Sequence, residues 1–291
     1  MALPKKILEE KFRRFVEDDV GHGDVTTFHT IPYGTIVEAR IIAKEKGVIA
    51  GVEEALAFSE AFGLQTRALV KDGSKAAPKT EVLHIEGDAI TLLTIERTML
   101  NLLSRMSGIA THTNRLVETV RRAGYKTAVA ATRKTALGLA YFDKKAVVVG
   151  GGDPHRYGLD DMILIKDNHL AIAGNIRNIV RKTRERASFS KKIEVEVSRL
   201  SDVLEAAEAG ADIIMLDNFA PEKIEEAIQL LKKKKLRNKI LVEASGGITE
   251  QNILKYVAAD VDILSLGELT QSARALDMSL EVVKVKRKGS Q

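Results

Sequence analysis

After Gly124, short apolar runs recur between segments of helical periodicity. This rhythm constrains the fold more than any other feature of the 291-residue chain. The runs are TAVAA (127–131), AVVVG (146–150), MILIK (162–166), IEVEV (193–197), IIMLD (213–217), ILVEAS (240–245) and DILSLG (262–267). NIRNIVRKTRERA, LSDVLEAAEAG, PEKIEEAIQLLKKKK and TEQNILKYVAA, which lie among them, read as amphipathic helices. Strand alternating with helix implies a parallel sheet joined by right-handed crossovers. Seven runs, each fairly apolar, predict a closed or nearly closed α/β barrel, with an open doubly wound sheet as the alternative. No GxGxxG and no GxxxxGK[ST] follows any run, which weakens the common dinucleotide and P-loop versions of that alternative.

The N-terminal part has a different pattern. Residues 5–18 read as an amphipathic helix, and GHGDVTT (21–27) as a Gly-rich loop with Asp24 and Thr26 as hydrogen-bonding candidates. From Thr35 to Ile95 short strands predominate, in TIVEARIIAKEKGVIAG, KTEVLHIEG and AITLLTI. One helix, VEEALAFSEAFG, interrupts them and stops at Gly63. A long helix is expected from Glu96 to Arg122, with Leu100, Leu103, Ser107 and Ala110 on one stripe. Small residues at Ser104, Ser107, Gly108 and Ala110 would admit a close neighbour. The expected division is an α+β unit over 1–110 and a barrel over 111–269, with the tail 270–291 a candidate to pack back on the first unit.

The chain has no Cys, which excludes disulfides, thiolate catalysis and Cys-ligated metals. No apolar run approaches the ~20 residues that span a bilayer, and the N-terminus lacks a signal-peptide core, so a cytoplasmic location is expected. The net charge of +5 owes much to Lys232–Lys235 and to the tail KVKRKGSQ. These read as a solvated helix end and a chain terminus. A basic nucleic-acid-binding surface is the rival reading, and an aromatic content of 4% without Trp argues against stacking platforms.

In α/β barrels the reactive rim lies at the strand C-termini. Here nearly every run delivers polar residues or glycine to that position: Thr132-Arg133-Lys134, Gly150-Gly151-Gly152 then His155-Arg156, Lys166, Glu196, Asp217-Asn218, Ser245-Gly246-Gly247, and Gly267. Arg133, Lys134, His155, Arg156 and Lys166 form a cationic cluster, which is costly unless anions occupy it. Pairing with Asp160, Asp161 or Asp167 is the bland alternative. Ser245-Gly246-Gly247 and Gly267 suit a phosphate after the last two strands, with Thr249 and Glu250 opening the next helix. Glu196 and Asp217 could hold Mg²⁺ or sugar hydroxyls, or could merely neutralise Lys134 and Lys166; Glu194 points to the same face as Glu196. His22, His29, His84 and His112 lack ligand-like spacing, so no metal site made of protein ligands alone is expected.

These residues, in this order, resemble quinolinate phosphoribosyltransferase. The matching motifs are GHGDVTT, ERTMLNLLSRMSGIAT (96–111), TRKT (132–135), GGG..HR.GL..M.LIKDNH (150–169), EVEV (194–197), LDNF (216–219), EASGGI (243–248) and LGELT (266–270). The resemblance implies an N-terminal α+β sandwich-like domain and an open C-terminal α/β barrel of the type II phosphoribosyltransferase kind. It implies transfer of phosphoribosyl from phosphoribosyl diphosphate to quinolinate with decarboxylation. A related enzyme acting on nicotinate or another aromatic acid is the alternative. It implies that Arg133, His155, Arg156 and Lys166 surround the quinolinate carboxylates. Lys134, Glu196 and Asp217 would hold the ribose and a Mg²⁺-bound diphosphate, with Lys134, Lys166, Glu196 and Asp217 as the catalytic set. Ser245, Gly246, Gly247 and Gly267 would take the 5-phosphate, with Thr132, Leu266 and Glu268 also lining the substrate site. It further implies a homodimer, with higher assembly left open, in which Arg97 reaches the partner's site. No nucleic-acid or membrane partner is implied. Leu137, Ala140, Ser198 and Gln271 depart from the usual pattern.

Overall fold

A computed structural model describes residues 3–286. In chain order the elements are α1 (Lys5–Val20), α2 (Val25–Thr30), β1 (Ile36–Ala43), β2 (Gly47–Val48), α3 (Val52–Ala61), β3 (Gln65–Ala68), β4 (Lys75–Ala76), β5 (Thr80–Asp88) and α4 (Ala89–Arg122). There follow β6 (Ala128–Ala131), α5 (Ala140–Val149), β7 (Ile163–Ile165), α6 (Asp167–Ala173), α7 (Ile176–Arg186), β8 (Ile193–Val197), α8 (Leu200–Glu208) and β9 (Ile213–Asp217). The last are α9 (Pro221–Lys233), a 3₁₀ turn at Arg237–Lys239, β10 (Leu241–Ser245), α10 (Ile253–Ala258), β11 (Ile263–Leu266), α11 (Glu268–Gln271) and β12 (Met278–Lys286). The described residues form two compact units, one of residues 3–112 together with 273–286, the other of residues 113–272.

In the first unit a four-stranded sheet has the order β12-β1-β5-β3. β12 pairs antiparallel with β1, and β1 alternates half-buried residues with the buried Val37, Ala39, Ile41 and Ala43. α1 buries Leu8, Phe12 and Val16 at i, i+4 spacing, and Phe12 meets Phe58 of α3 edge-on at 4.8 Å between ring centroids. The expected loop at 21–27 instead runs into α2, and Asp24 is its N-cap, accepting from the Thr27 N–H at 2.9 Å. AITLLTI, expected as a strand, is the first two turns of α4. Asp88 caps that start by accepting from the backbone N–H and the hydroxyl of Thr91. Ala89, Leu92, Ile95 and Met99 are buried at helical spacing, so packing overrides the β-branched composition. The small-residue stripe of α4 is approached by extended backbone. The Ser107 hydroxyl donates to the Ala50 carbonyl, and Ser104 O accepts from Leu276 N–H.

In the second unit six parallel strands have the order β6-β11-β10-β9-β8-β7. Read from β7 the strands follow one another through β11, and β6 comes next. That is the cyclic order of a barrel, broken only between β6 and β7. A doubly wound sheet would reverse direction partway across. AVVV (146–149) is a correction to the sequence reading: it is the end of helix α5, not a strand. Burial of Phe142, Asp143, Ala146 and Val147 follows a helical period that the local Val run conceals. Just past that run, Asp153 makes an isolated parallel bridge with Ala130. Gly152 is required there by packing, because an added Cβ would lie 2.6 Å from Thr113 Cγ2 and 2.9 Å from the Val129 carbonyl oxygen. The helix expected to open at Thr249 begins only at Ile253, after a turn in which Thr249 N–H donates to Asn252 Oδ1.

Candidate active site

Parallel pairing places residues of equal register on one face of the sheet. Glu194 pairs with Ile213, Glu196 with Met215, Met215 with Glu243, Asp217 with Ser245, and Ser245 with Ser265. Val195, Val197, Ile214, Leu216, Val242, Ala244, Leu264 and Leu266 occupy the opposite face, at most 3% exposed. α7 and α8 pack on these strands. The apolar face therefore lies under the helices, and the other face is polar. Barrel interiors are ordinarily filled with branched apolar side chains. Here Glu194 and Glu243 are fully buried and Ser265 is 2% exposed, which marks the interior as the floor of a site.

Above that floor the rim residues are held by local bonds. Thr132 Oγ1 accepts from the Lys134 N–H at 3.1 Å, and the Lys134 carbonyl accepts from Thr270 Oγ1 at 2.7 Å. Gly267 leaves room for the Lys134 stem, since an added Cβ would lie 3.1 Å from its Cδ. His155 adopts a left-handed backbone, φ 56°, and its N–H donates to Asp153 Oδ1 at 2.6 Å. Its Nε2 lies 3.0 Å from Glu243 Oε2 and 3.6 Å from Glu194 Oε2. Burial opposes a charge on the ring, but the hydrogen bond and charge of Glu243 raise the His155 pKa above its ordinary value. Arg156 is 8% exposed, and its pKa is lowered by burial and by the neighbouring charge of Arg133. Glu194 is pushed up to about 8 by burial and by the charge of Glu243, so it carries a proton near neutrality.

Lys166, at the N-terminus of α6, places Nζ 2.6 Å from Glu196 Oε2, while its N–H donates to His169 Nδ1 at 3.0 Å. Asp217 Oδ2 accepts from Asn218 Nδ2 at 2.8 Å. Asn218 is itself left-handed, φ 56°, and its N–H donates to the Ser245 carbonyl. Gly246, at φ 91°, could carry no side chain there, because a Cβ would fall 2.2 Å from Asn218 Oδ1. Gly247, at φ 64°, has open space where a Cβ would be.

The bland alternative, pairing of the cluster with Asp160, Asp161 or Asp167, does not occur among the described residues; Lys166 pairs with Glu196, and His155 meets Glu243 and Glu194. Asp161 accepts from the Tyr157 N–H and Asp167 from the Asn168 N–H. Among the described residues Arg133, Lys134 and Arg156 form no ion pair. Two functional candidates escaped the sequence reading. Glu243 looked like one more polar residue in ILVEAS. Lys144 lay in a stretch not placed on any element; it is buried on α5, where Nζ donates to the Pro154 carbonyl beside His155. Burial lowers the Lys144 pKa to about 8.

Other expected residues stand apart. The Leu266 side chain lies on the helix-facing side, so the pocket is offered only backbone there. Glu268 opens α11. Arg97 is exposed on α4 in the first unit. Leu137 is fully exposed and Ser198 and Gln271 are also exposed, while Ala140 begins α5.

Glu196 and Asp217 sit on neighbouring strands with one oxygen of each engaged, and oxygen ligands of this kind fit a hard cation that keeps water or phosphate oxygens around it. Among the described residues the one group of three ligand-type side chains is a different one, His155, Glu194 and Glu243, and the 3.0 Å hydrogen bond accounts for its closeness. Much of the basic charge outside the barrel mouth is paired: Lys232 with Asp260, Lys284 with Glu38, and Lys286 with Glu38 and Glu86. Arg287 and Lys288, also part of the expected basic tail, lie outside the described residues. No helix among the described residues is long and apolar enough to cross a membrane.

Comparison with known proteins finds relatives over nearly the whole chain. The family profile described as quinolinate phosphoribosyl transferase, C-terminal domain, matches residues 109–281, and that of the N-terminal domain matches residues 24–107. A probable nicotinate-nucleotide pyrophosphorylase [carboxylating] of Methanocaldococcus jannaschii is 48% identical over 274 residues, covering 94% of this chain and 96% of the relative. The human nicotinate-nucleotide pyrophosphorylase [carboxylating] is 41% identical, covering 84% of this chain and 82% of its own. The crystal structure of NadC from Streptococcus pyogenes superposes with a TM-score of 0.88 at 35% identity, covering 98% of this chain and 99% of that one. With both domain profiles matched in order, and with relatives well above 30% identity along most of their length, this chain belongs to the quinolinate phosphoribosyl transferase family.

Proposed function

We propose that the protein is a phosphoribosyltransferase that joins quinolinate, pyridine-2,3-dicarboxylate, to the C1 carbon of phosphoribosyl diphosphate and releases diphosphate and CO₂. The product is nicotinate mononucleotide, a precursor of NAD. The observation that carries this reading is the set of cations left without carboxylate partners at one barrel rim: Arg133, Lys134 and Arg156 beside an imidazole whose charge is favoured. Mutual repulsion among such groups is relieved by a polyanion, and both substrates are polyanions.

In the reaction the pyridine nitrogen lone pair forms the bond to C1, and the C1–O electrons leave with diphosphate. Positive charge builds on the ribose ring in passing, and Glu196 and Asp217 are the carboxylates that can offset it. The ring nitrogen is then cationic. The bond from C2 to its carboxyl breaks, CO₂ departs, and the electron pair left on C2 is stabilised by the adjacent positive nitrogen until a proton replaces it. Arg133, His155, Arg156 and Lys166 hold the two carboxylates, so that the chain supplies position and electrostatics and no nucleophile. A magnesium ion bound with the diphosphate would neutralise charge on the leaving group, held from the protein side by Glu196 and Asp217. Lys134 serves the ribose and the same leaving group in this reading. Ser245, Gly246, Gly247 and Gly267 take the 5-phosphate, and Gly247, with open space where a Cβ would be, lets the backbone approach it closely.

The assay is incubation with quinolinate carrying a labelled 2-carboxyl and phosphoribosyl diphosphate. Labelled CO₂ and nicotinate mononucleotide are expected. Turnover of nicotinate without CO₂ release from quinolinate would instead select the sister activity. The protein acts as a homodimer in this reading, with Arg97 completing the partner's site. Mixing Arg97→Ala with Lys166→Ala under subunit exchange should restore activity through one intact site per mixed dimer. Confirmed mixed dimers with no activity would remove Arg97 from that role.

A further inference from the structure

We infer that Glu243 is a positioning residue for the pyridine diacid: it takes His155 by Nε2, so that Nδ1 is the ring nitrogen presented to a substrate carboxylate. The inference rests on the reaction proposed above and assigns a role to a residue which that mechanism leaves unused. Glu243 is fully buried on the polar face of β10, 88 positions along the chain from His155. A buried carboxylate is expensive, and an apolar residue of similar volume would ordinarily serve a barrel interior better. Glu243 has nevertheless one oxygen at 3.0 Å from Nε2, while its other oxygen has no partner among the described residues. Its bond to the imidazole is thus the interaction that its burial secures.

The loop around His155 is built for the same end. A left-handed φ of 56° is unusual for a residue other than glycine and persists only where neighbours enforce it. Asp153 binds the backbone N–H of His155, Lys144 binds the carbonyl just before it, and Glu243 fixes the ring from below. With a carboxylate accepting at Nε2, that nitrogen carries hydrogen, and the ring's other nitrogen faces away from the floor. Nδ1 has no partner among the described residues. A charged ring offers a substrate carboxylate an Nδ1–H donor, whereas a neutral ring would offer it a lone pair. Glu243 thereby sets both the direction and the sign of the contact. Glu194, 3.6 Å from Nε2, adds to the same floor.

Two measurements test this on the intact protein. Long-range ¹H–¹⁵N spectra of the histidine rings, with His155 assigned by the signal lost in His155→Asn, should show hydrogen on Nε2 of wild-type His155; an unprotonated Nε2 overturns the inference. Glu243→Gln keeps an acceptor for Nε2 but removes the charge. It should raise KM for quinolinate at least about tenfold, the scale of one charge-assisted hydrogen bond, while KM for phosphoribosyl diphosphate stays within about twofold. An unchanged quinolinate KM in folded Glu243→Gln, or equal rises for both substrates, overturns it. If Glu243→Gln does not fold, the wild-type ring spectrum decides alone. Wild-type protein that releases no CO₂ from quinolinate refutes the proposed reaction, a result separate from the tautomer of His155.

Discussion

Lys166 Nζ and Glu196 Oε2 stand 2.6 Å apart across the rim ends of the neighbouring strands β7 and β8. The side chains are 43% and 14% exposed, so water screens the pair and its share of stability is on the order of 1 kcal/mol or less. Its weight falls on chemistry, because it holds one oxygen of Glu196 while the other has no partner among the described residues.

Lys166→Ala should therefore lose at least about 100-fold in kcat/KM, roughly 3 kcal/mol of transition-state stabilisation. Its melting temperature should move by less than about 4 °C, the scale of a 1 kcal/mol change in a domain of this size. Steady-state CO₂ release and thermal unfolding check the two halves. Collapse of stability with retained activity would show that the pair is structural.

Gly246→Ala and Gly247→Ala separate crowding from backbone strain. Both glycines are left-handed, which costs an L-residue about 1–2 kcal/mol. At Gly246 the new methyl would also collide with Asn218 Oδ1, so Asn218 must move and Asp217 loses its hydrogen bond. Denaturant unfolding should show Gly246→Ala destabilised by about 2–4 kcal/mol and Gly247→Ala by about 1. Equal losses would mean that the Asn218 contact carries nothing.

Gly108→Ala reverses an ordinary rule. Alanine in place of glycine stabilises an open helix by about 1 kcal/mol. Inside α4, however, the added carbon would sit 1.9 Å from the Arg274 carbonyl oxygen. The substitution should destabilise by about 3 kcal/mol or more, read by urea unfolding. A neutral or stabilising result would contradict that close approach.

Glu194 should make stability depend on pH. Its folded pKa is about 8 against an ordinary value of 4.5, so between these the folded state binds more protons than the unfolded chain. The stabilisation tied to its proton is complete below pH 4.5 and is lost as pH rises through 8, with a limiting slope of about 1.4 kcal/mol per pH unit. Glu194→Gln cannot lose that proton and should show a shallower decline in unfolding free energy between pH 5 and pH 8. Parallel curves for the two proteins would refute the buried, protonated state.

The strand-and-helix rhythm after Gly124 and the polar residues ending each run were legible without coordinates, because strand period and rim placement are local properties of the chain. Alternation in IEVEV already separates Glu194 and Glu196 from Val195 and Val197. The misreadings were local as well. AITLLTI and AVVV look like strands by composition, yet burial with a helical period places both in helices, and composition in a short apolar run does not distinguish the two. What no local pattern contains is convergence. That Glu243 lies under His155, that Gly246 must stay bare for Asn218, and that Lys144 reaches the Pro154 carbonyl are consequences of strand register and of how α5 and its loop return to the barrel. Residue types and their order determined the kind of pocket. Tertiary structure alone decided which buried charges meet, since an ion's energy depends on its neighbours in space and on the water excluded around it.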